Sequence, residues 1–339
     1  MTDFFSLTPE QQAQRMQAAG ADALRRWGIQ GAELSLIKYR ENAVFRVDHD
    51  GGRHALRMHR AGYHSDDELR SELQWMQALQ DAGIRTPTVV PTQAGELFVK
   101  HAAAGLPGSI QVDLFEWISG EQIGSVEDGI SDQAEAEKIF GTIGEIAAQV
   151  HNQAAAWSLP ADFTRHAWDE DGLAGDNPFW GRFWELGAAT DAQRALLKRV
   201  KDVVYQDLKA MPKTPDTYSM IHADFAPENL MMDENGVRLI DFDDAGFGWH
   251  LFEIATSVYF LREDPAFDAI LAATIRGYRQ HRELTDQQLE NLPLIMLARG
   301  TTYVGWVHTR HETETAQELT PMILEMACDM ADAYLGNRQ

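Results

Sequence analysis

Cysteine is nearly absent. Cys328 is the only one in 339 residues, so no intramolecular disulfide can form, which suits a reducing compartment. Basic residues are scarce as well: Lys and Arg number 29 against 52 Asp and Glu, a formal net charge of −23. A surface of that sign repels nucleic acid and anionic membranes, which argues against both as partners. No run of about 18 apolar residues occurs, and the N-terminal Met1-Thr-Asp-Phe-Phe-Ser6 has no basic segment followed by an apolar one. A soluble, cytoplasmic protein is therefore expected. Internal repeats, low-complexity tracts and long linkers are also missing. What remains is a chain with 44% hydrophobic residues, long enough to build one large domain or two lobes.

The chemistry is concentrated between residues 221 and 247. There Ile221-His-Ala-Asp224-Phe-Ala-Pro-Glu-Asn229 is followed by the apolar run Val237-Arg-Leu-Ile240 and then Asp241. Moving a phosphoryl group from a nucleotide requires a carboxylate to orient the attacking hydroxyl, and hard oxygen ligands to hold Mg²⁺ on the phosphates. In H-x-D-x-x-x-x-N a tight loop can aim the Asp at the acceptor and turn the Asn back toward the metal. Asp224 suits the first role, Asn229 and Asp241 the second. Asn235-Gly236 is a strong turn signal, so the runs on either side should form a hairpin that returns Asp241 toward Asn229.

His222-Ala-Asp224-Phe-Ala-Pro-Glu-Asn229 with Ile240-Asp241-Phe-Asp243 resembles the catalytic and metal-binding segments of the aminoglycoside phosphotransferase and choline kinase superfamily. Within it the chain is most similar to homoserine kinase type II and the bacterial stress-response Ser/Thr kinases. The resemblance runs from about residue 30 to the C-terminus. It implies an α+β, protein-kinase-like, two-lobed fold using ATP as donor and Mg²⁺. Residues 1–115 would form the N-terminal lobe, with an N-terminal helix, a small antiparallel sheet and one helix carrying Glu72. Residues 116–339 would form a larger, mainly helical lobe holding the catalytic loop and the metal site.

Thr8-Pro9-Glu10-Gln11 is a capping box with proline at the first helical position, so a helix should run from there to Trp27-Gly28. Three β-like runs follow, Glu33–Tyr39, Ala43–Asp48 and His54–His59, separated by turn residues. The first turn, Arg40-Glu41-Asn42-Ala43, sits where a protein kinase carries its glycine-rich loop but has no glycine. Phosphate contact there would fall to backbone N–H groups or to Asn42, and a plain hairpin loop is the alternative. Ala55-Leu-Arg57 stands in place of the Ala-x-Lys of the third kinase strand, where both residues face the nucleotide. The guanidinium can grip two phosphate oxygens, although Arg and Lys are not interchangeable at a precise site. Ser65-Asp-Asp-Glu68 starts a helix with Leu69, Leu73, Met76 and Leu79 on one face. Glu72 on that helix matches the glutamate that pairs with the strand-three cation in kinase-like folds. The inter-lobe hinge would lie around Phe115 to Ile118.

Further on, a long amphipathic helix is expected from Ser131 to Trp157, with His151 as a packed or capping residue. Residues 158–186 are rich in acids and Trp, a composition that fits either a cationic amine acceptor or a surface loop docked on the core. Helices are expected at roughly 189–210, 249–262, 266–282, 286–309 and 318–335, leaving this part all α. The main functional expectation is an ATP-dependent phosphotransferase acting on a hydroxyl of a small molecule, such as an amino alcohol, hydroxy amino acid or aminoglycoside. His222-Ala223-Asp224 lacks the Arg that pairs with an activation-loop phosphate in many protein kinases, and no Ala-Pro-Glu follows Asp241. The alternatives are a stress-response Ser/Thr protein kinase and a nucleotide-binding regulator without turnover.

Overall fold

The computed structural model describes residues 4–39, 42–124 and 132–337. Arg40 and Glu41 of the first turn and Ser131 at the expected helix start lie outside them. The chain divides into two compact units. One comprises Met1–Glu121, Leu159–Thr164 and Met232–Ile240, the other Gln122–Ser158, Arg165–Met231 and Asp241–Gln339.

The first unit is built on a five-stranded antiparallel sheet. Its strands lie in the order Glu33–Tyr39, Ala43–His49, Gly52–Met58, Ser109–Glu116, Phe98–Ala102. The first three form a meander because their turns are short and polar, and alternate residues such as Phe45, Val47 and Leu56 are buried on the core side. Helix Pro9–Ala23 starts at the Thr8–Gln11 capping box and tightens into a 3₁₀ turn that stops at Gly28, whose φ of 77° only glycine adopts without cost. Helix Asp66–Asp81 starts at Ser65 with its own capping box and buries Leu69, Leu73, Met76 and Leu79.

The second unit is mainly helical. Helix Gln133–Ala156 is capped by Asp132 and buries Phe140, Ile143, Ala147 and Val150. It crosses helix Phe267–Arg279 closely, because a Cβ at Gly144 would lie 2.0 Å from Thr274 O and one at Gly277 would lie 2.0 Å from Gly141 O. Helix Asp191–Ala210 follows the Thr190–Gln193 box. The single helix expected over 286–309 is two, Asp286–Leu289 and Leu292–Thr309. The last helix begins at Glu314 on a Thr313 cap and runs to Gly336 through Pro321, earlier than expected.

The region is not all α. Gly246–Trp249 pairs antiparallel with Tyr218–Ile221 and parallel with Ala167–Trp168. These strands are too short, and Gly246 and Gly248 too loop-like, to register as a period-two pattern. Leu230–Asp233 and Gly236–Leu239 form the hairpin expected around Asn235-Gly236.

Candidate active site

In the first unit the candidate residues sit on neighbouring strands. Ala55 and Arg57 are two apart on Gly52–Met58, and Arg57 stands directly opposite Asp113 of Ser109–Glu116. Arg57 is 7% exposed. Its Nε and Nη2 donate to the two oxygens of Asp113 at 3.1 and 2.7 Å, and Nη2 also lies 2.8 Å from Glu72 Oε1. His59 Nε2 is 3.1 Å from Asp113 Oδ2. Burial alone would raise the Asp113 carboxyl, but Arg57 and His59 more than offset it and hold it down at about 2. Asn42 is buried, and its Oδ1 accepts the Arg60 backbone N–H at 3.1 Å. The Glu116 N–H, in the segment proposed as the hinge, donates to Thr88 O.

In the second unit Asp224 and Asn229 touch. Asn229 Nδ2 donates to Asp224 Oδ2 at 2.7 Å and to Asp224 O at 2.8 Å, so its own Oδ1 faces away and, among the described residues, has no partner. Asp241 is exposed and, among the described residues, has no hydrogen-bond partner. A free amide oxygen and a free carboxylate are the donor set a hard divalent cation takes.

The backbone here is unusual. Among the described residues only two non-glycines have positive φ: Ala223 at 64°, next to Asp224, and Asp241 itself at 66°. Strain of this kind persists where surrounding contacts impose it, and it gathers at functional sites. At Ala223 the contact is Glu253, fully buried on helix His250–Val258, whose carboxyl accepts the Ala223 N–H. Burial pushes the Glu253 carboxyl up to about 8, against the pull of that N–H and of Arg299. After Asp241 the chain is pinned by Arg165, which donates to Phe242 O, Asp243 O and Ala245 O, and by Trp168 Nε1 to Asp244 O at 2.8 Å. His222 packs edge-on against Phe242 at 4.8 Å.

The second side chain that meets the Asp224 carboxylate is Arg299, from helix Leu292–Thr309. Its Nη2 lies 3.4 Å from Asp224 Oδ1 and 2.8 Å from Tyr303 Oη. The guanidinium has no exposure and lies against the rings of Tyr303, Trp180 and Phe252, at 4.2, 5.0 and 5.2 Å from their centroids.

Residues 158–186 show which of their two readings the packing favours. Trp168 and Trp180 are buried, and the nearby acids are already paired: Asp169 and Glu170 with Lys213 at 3.0 and 2.6 Å, and Asp176 with Lys201 at 3.0 Å. His151 is a packed residue, 2.9 Å from Tyr278 Oη and stacked on His250 at 4.3 Å.

Asp113, His59, Glu253, Arg165 and Arg299 are not assigned any role by the sequence reasoning. Three of them carry one shared signal, a charge inside an apolar run: Val112-Asp113-Leu114, Leu251-Phe-Glu253-Ile-Ala and Met296-Leu-Ala-Arg299. Such charges are retained only where something pairs with them.

An antiparallel sheet with one packed helix, a helical unit and an Asp–Asn pair on a strained loop define a kinase-like phosphotransferase. The pattern of the phosphotransferase enzyme family matches residues 36–284, and the chain belongs to that family. Amicoumacin kinase of Bacillus subtilis is 23% identical over 310 residues, 88% of this chain and 86% of that protein. Among solved structures, a microcompartment-associated aminopropanol kinase is 30% identical with a TM-score of 0.81, covering 94% of this chain and 97% of that one. An amicoumacin kinase in complex with AMP-PNP, Ca²⁺ and Ami has a TM-score of 0.73 at 18% identity, covering 95% and 94%. The fold is thus protein-kinase-like. Among the described residues no helix is long and apolar enough to cross a membrane.

Proposed function

We propose that this phosphotransferase moves the γ-phosphoryl group of ATP to the hydroxyl of a small amino alcohol or a related amine-bearing acceptor. The observation that carries the reading is the Asp224–Asn229 contact on a loop strained at Ala223. It leaves a carboxylate, one-third exposed at its side chain, fixed beside an amide whose oxygen points elsewhere. Asp224 orients the acceptor hydroxyl and takes its proton as the phosphorus–oxygen bond forms. Asn229 Oδ1 and the Asp241 carboxylate are the residues that would hold Mg²⁺, which when bound neutralises charge on the phosphates. Arg57, fixed by Asp113 and Glu72, is the candidate phosphate anchor, with Ala55 on the same strand face and Asn42 as a further candidate nucleotide contact.

The amino-alcohol class is supported by the relative that acts on aminopropanol, which matches this chain over most of its length. The acids at 169, 170 and 176 add little to that support, because each is already paired with a lysine, Lys213 serving the first two and Lys201 the third. A cytoplasmic location fits an ATP-dependent enzyme whose one cysteine is buried and free.

The test is ADP release from MgATP over a panel of amino alcohols, hydroxy amino acids, aminoglycosides and a generic protein substrate. Stimulation by an amino alcohol above the rate with water supports the reading. Stimulation by the protein substrate alone overturns it. Calorimetric titration of ATP with and without Mg²⁺ tests the metal assignment: Asp241→Asn should weaken only the Mg²⁺-dependent part, and equal wild-type affinity in both conditions removes Asn229 and Asp241 as ligands.

A further inference from the structure

Arg299 is an expensive residue for this fold. A fully buried guanidinium loses its hydration, and two of its three nitrogens, Nε and Nη1, have no hydrogen-bond partner among the described residues. Three aromatic rings surround it, and a well-packed apolar side chain in such a place is often as stable or more so. The one carboxylate that its hydrogen bonds reach is Asp224. Two other acids interact with it: Glu253, which burial raises to about 8 and so favours in its neutral form, and Asp244, which is only half-buried and keeps contact with water. Arg299 is therefore not needed there to balance a stranded charge.

The two oxygens of Asp224 are divided between two donors. Asn229 Nδ2 takes Oδ2 at 2.7 Å and Arg299 Nη2 takes Oδ1 at 3.4 Å. Rotation of the carboxylate about its Cβ–Cγ bond would break both contacts. Arg299 is itself fixed, by the Tyr303 hydroxyl at 2.8 Å and by the faces of Tyr303, Trp180 and Phe252.

We propose that Arg299 is a positioning residue for phosphoryl transfer, holding the Asp224 carboxylate in one orientation before the acceptor arrives. The inference rests on reading Asp224 as the acceptor-facing carboxylate. Arg299 does not reach the acceptor itself, since it has no exposed surface. Its work is on kcat: a carboxylate free to turn presents the wrong oxygen part of the time, and misplacement on the scale of 1 Å costs about 10²-fold in rate.

The experiment compares wild type, Asp224→Asn, Arg299→Met, Arg299→Lys and Tyr303→Phe. Melting temperature is read beside ADP release from MgATP, with water and with aminopropanol as acceptor probes. Arg299→Met is expected to melt at or above the wild-type temperature and to lose about 10²-fold in kcat, with KM for ATP within about two-fold. Arg299→Lys, which keeps the charge, should recover at least about ten-fold of that loss. Tyr303→Phe removes only the hydroxyl that fixes Nη2, and should keep its melting temperature while losing about three- to ten-fold in kcat.

A merely structural arginine gives the opposite pattern, a lower melting temperature with unchanged kcat per folded molecule, and that result overturns the proposal. If Arg299→Met does not fold, wild-type kcat in Tyr303→Phe overturns it. Loss of activity in Asp224→Asn with none in Arg299→Met sinks this inference alone, whereas full activity in Asp224→Asn sinks the reading it rests on. A crystal structure of Arg299→Met gives a readout independent of turnover. An Asp224 carboxylate in more than one orientation is expected, and a single unchanged orientation contradicts the proposal.

Discussion

Each unit of the molecule buries an arginine beside a candidate site residue, and the two are held in opposite ways. Arg57 in the sheet unit is gripped by acids, with a two-toothed contact from Asp113 and a second carboxylate from Glu72, beside a single ring, Phe115, at 5.0 Å. Arg299 in the helical unit is enclosed by aromatic rings and meets one carboxylate at its edge, at 3.4 Å. The first arrangement fixes the arginine, and the second lets the arginine fix something else. The difference has a physical origin. Paired strands place residues directly opposite each other, so Arg57 and Asp113 meet as a cross-strand pair. A single helix offers no such opposite position, and Arg299 instead reaches across the helical core to a loop.

The largest effect is expected from breaking the first arrangement. Asp113→Ala leaves Arg57 and His59 buried without the carboxylate they share, and should lower the free energy of unfolding by about 3–5 kcal/mol, read by urea titration. A loss below 1 kcal/mol would mean that Glu72 alone suffices. Arg299→Met should show no comparable loss, and that contrast in stability is what separates the two arginines.

Acid sharpens the comparison. Asp113, depressed to about 2, contributes stability that is complete above its unfolded value near 3.9 and is lost only as pH falls toward 2. In the helical unit burial, reinforced by Arg282, drives His250 down to about 3, and His151 is lowered well below its ordinary value by burial and by His250. Both are neutral in the fold and charged in the unfolded chain, so stability falls as pH drops below about 6.5, by about 2 kcal/mol at pH 5 for His250, with His151 adding to the loss. Glu253 in the same unit, raised to about 8, works the other way, being protonated in the fold and ionised in the unfolded chain, but the two histidines together outweigh it, so the helical unit should loosen first on acidification. Hydrogen exchange at pH 7 and pH 5 checks this, with faster exchange in helices Gln133–Ala156 and Phe267–Arg279 and little change in the sheet. Uniform acceleration in both units would contradict it.

A smaller effect is expected on nucleotide use. If Arg57 and Glu72 act as a unit, each alanine variant should lower kcat/KM by on the order of ten-fold, and the double variant should be less impaired than the product of the two losses. Asp113 adds a third member, so Arg57→Lys, which cannot reproduce the two-toothed contact, should fall between wild type and Arg57→Ala. Strictly multiplicative losses would return Arg57 to the role of a structural ion pair.

The helix starts and the first three strands of the sheet unit were readable from sequence, because capping boxes at Thr8 and Ser65 and polar turns between alternating runs are local signals. The candidate catalytic segment stood out because His222, Asp224, Asn229 and Asp241 lie within twenty residues, on a loop and a hairpin with a strong Asn-Gly turn. What sequence could not show is which distant charges converge. Asp113 lies 56 positions from Arg57, and Arg299 lies 75 from Asp224. Their partners are set by strand pairing and helix packing, neither of which leaves a mark at fixed spacing. The short strand Gly246–Trp249 was missed for the related reason that it gains its identity only from Tyr218–Ile221 beside it.

The central claim is that Asp224 acts on the acceptor and not on the nucleotide. Steady-state ADP release with aminopropanol as the probe acceptor, measured beside MgATP affinity by calorimetry for wild type and Asp224→Ala, tests it most directly. The expected result is a loss of about 10²–10⁴ in turnover with MgATP affinity unchanged to within a few-fold. Turnover at the wild-type rate in Asp224→Ala, or a collapse of MgATP affinity in step with the rate, would contradict it.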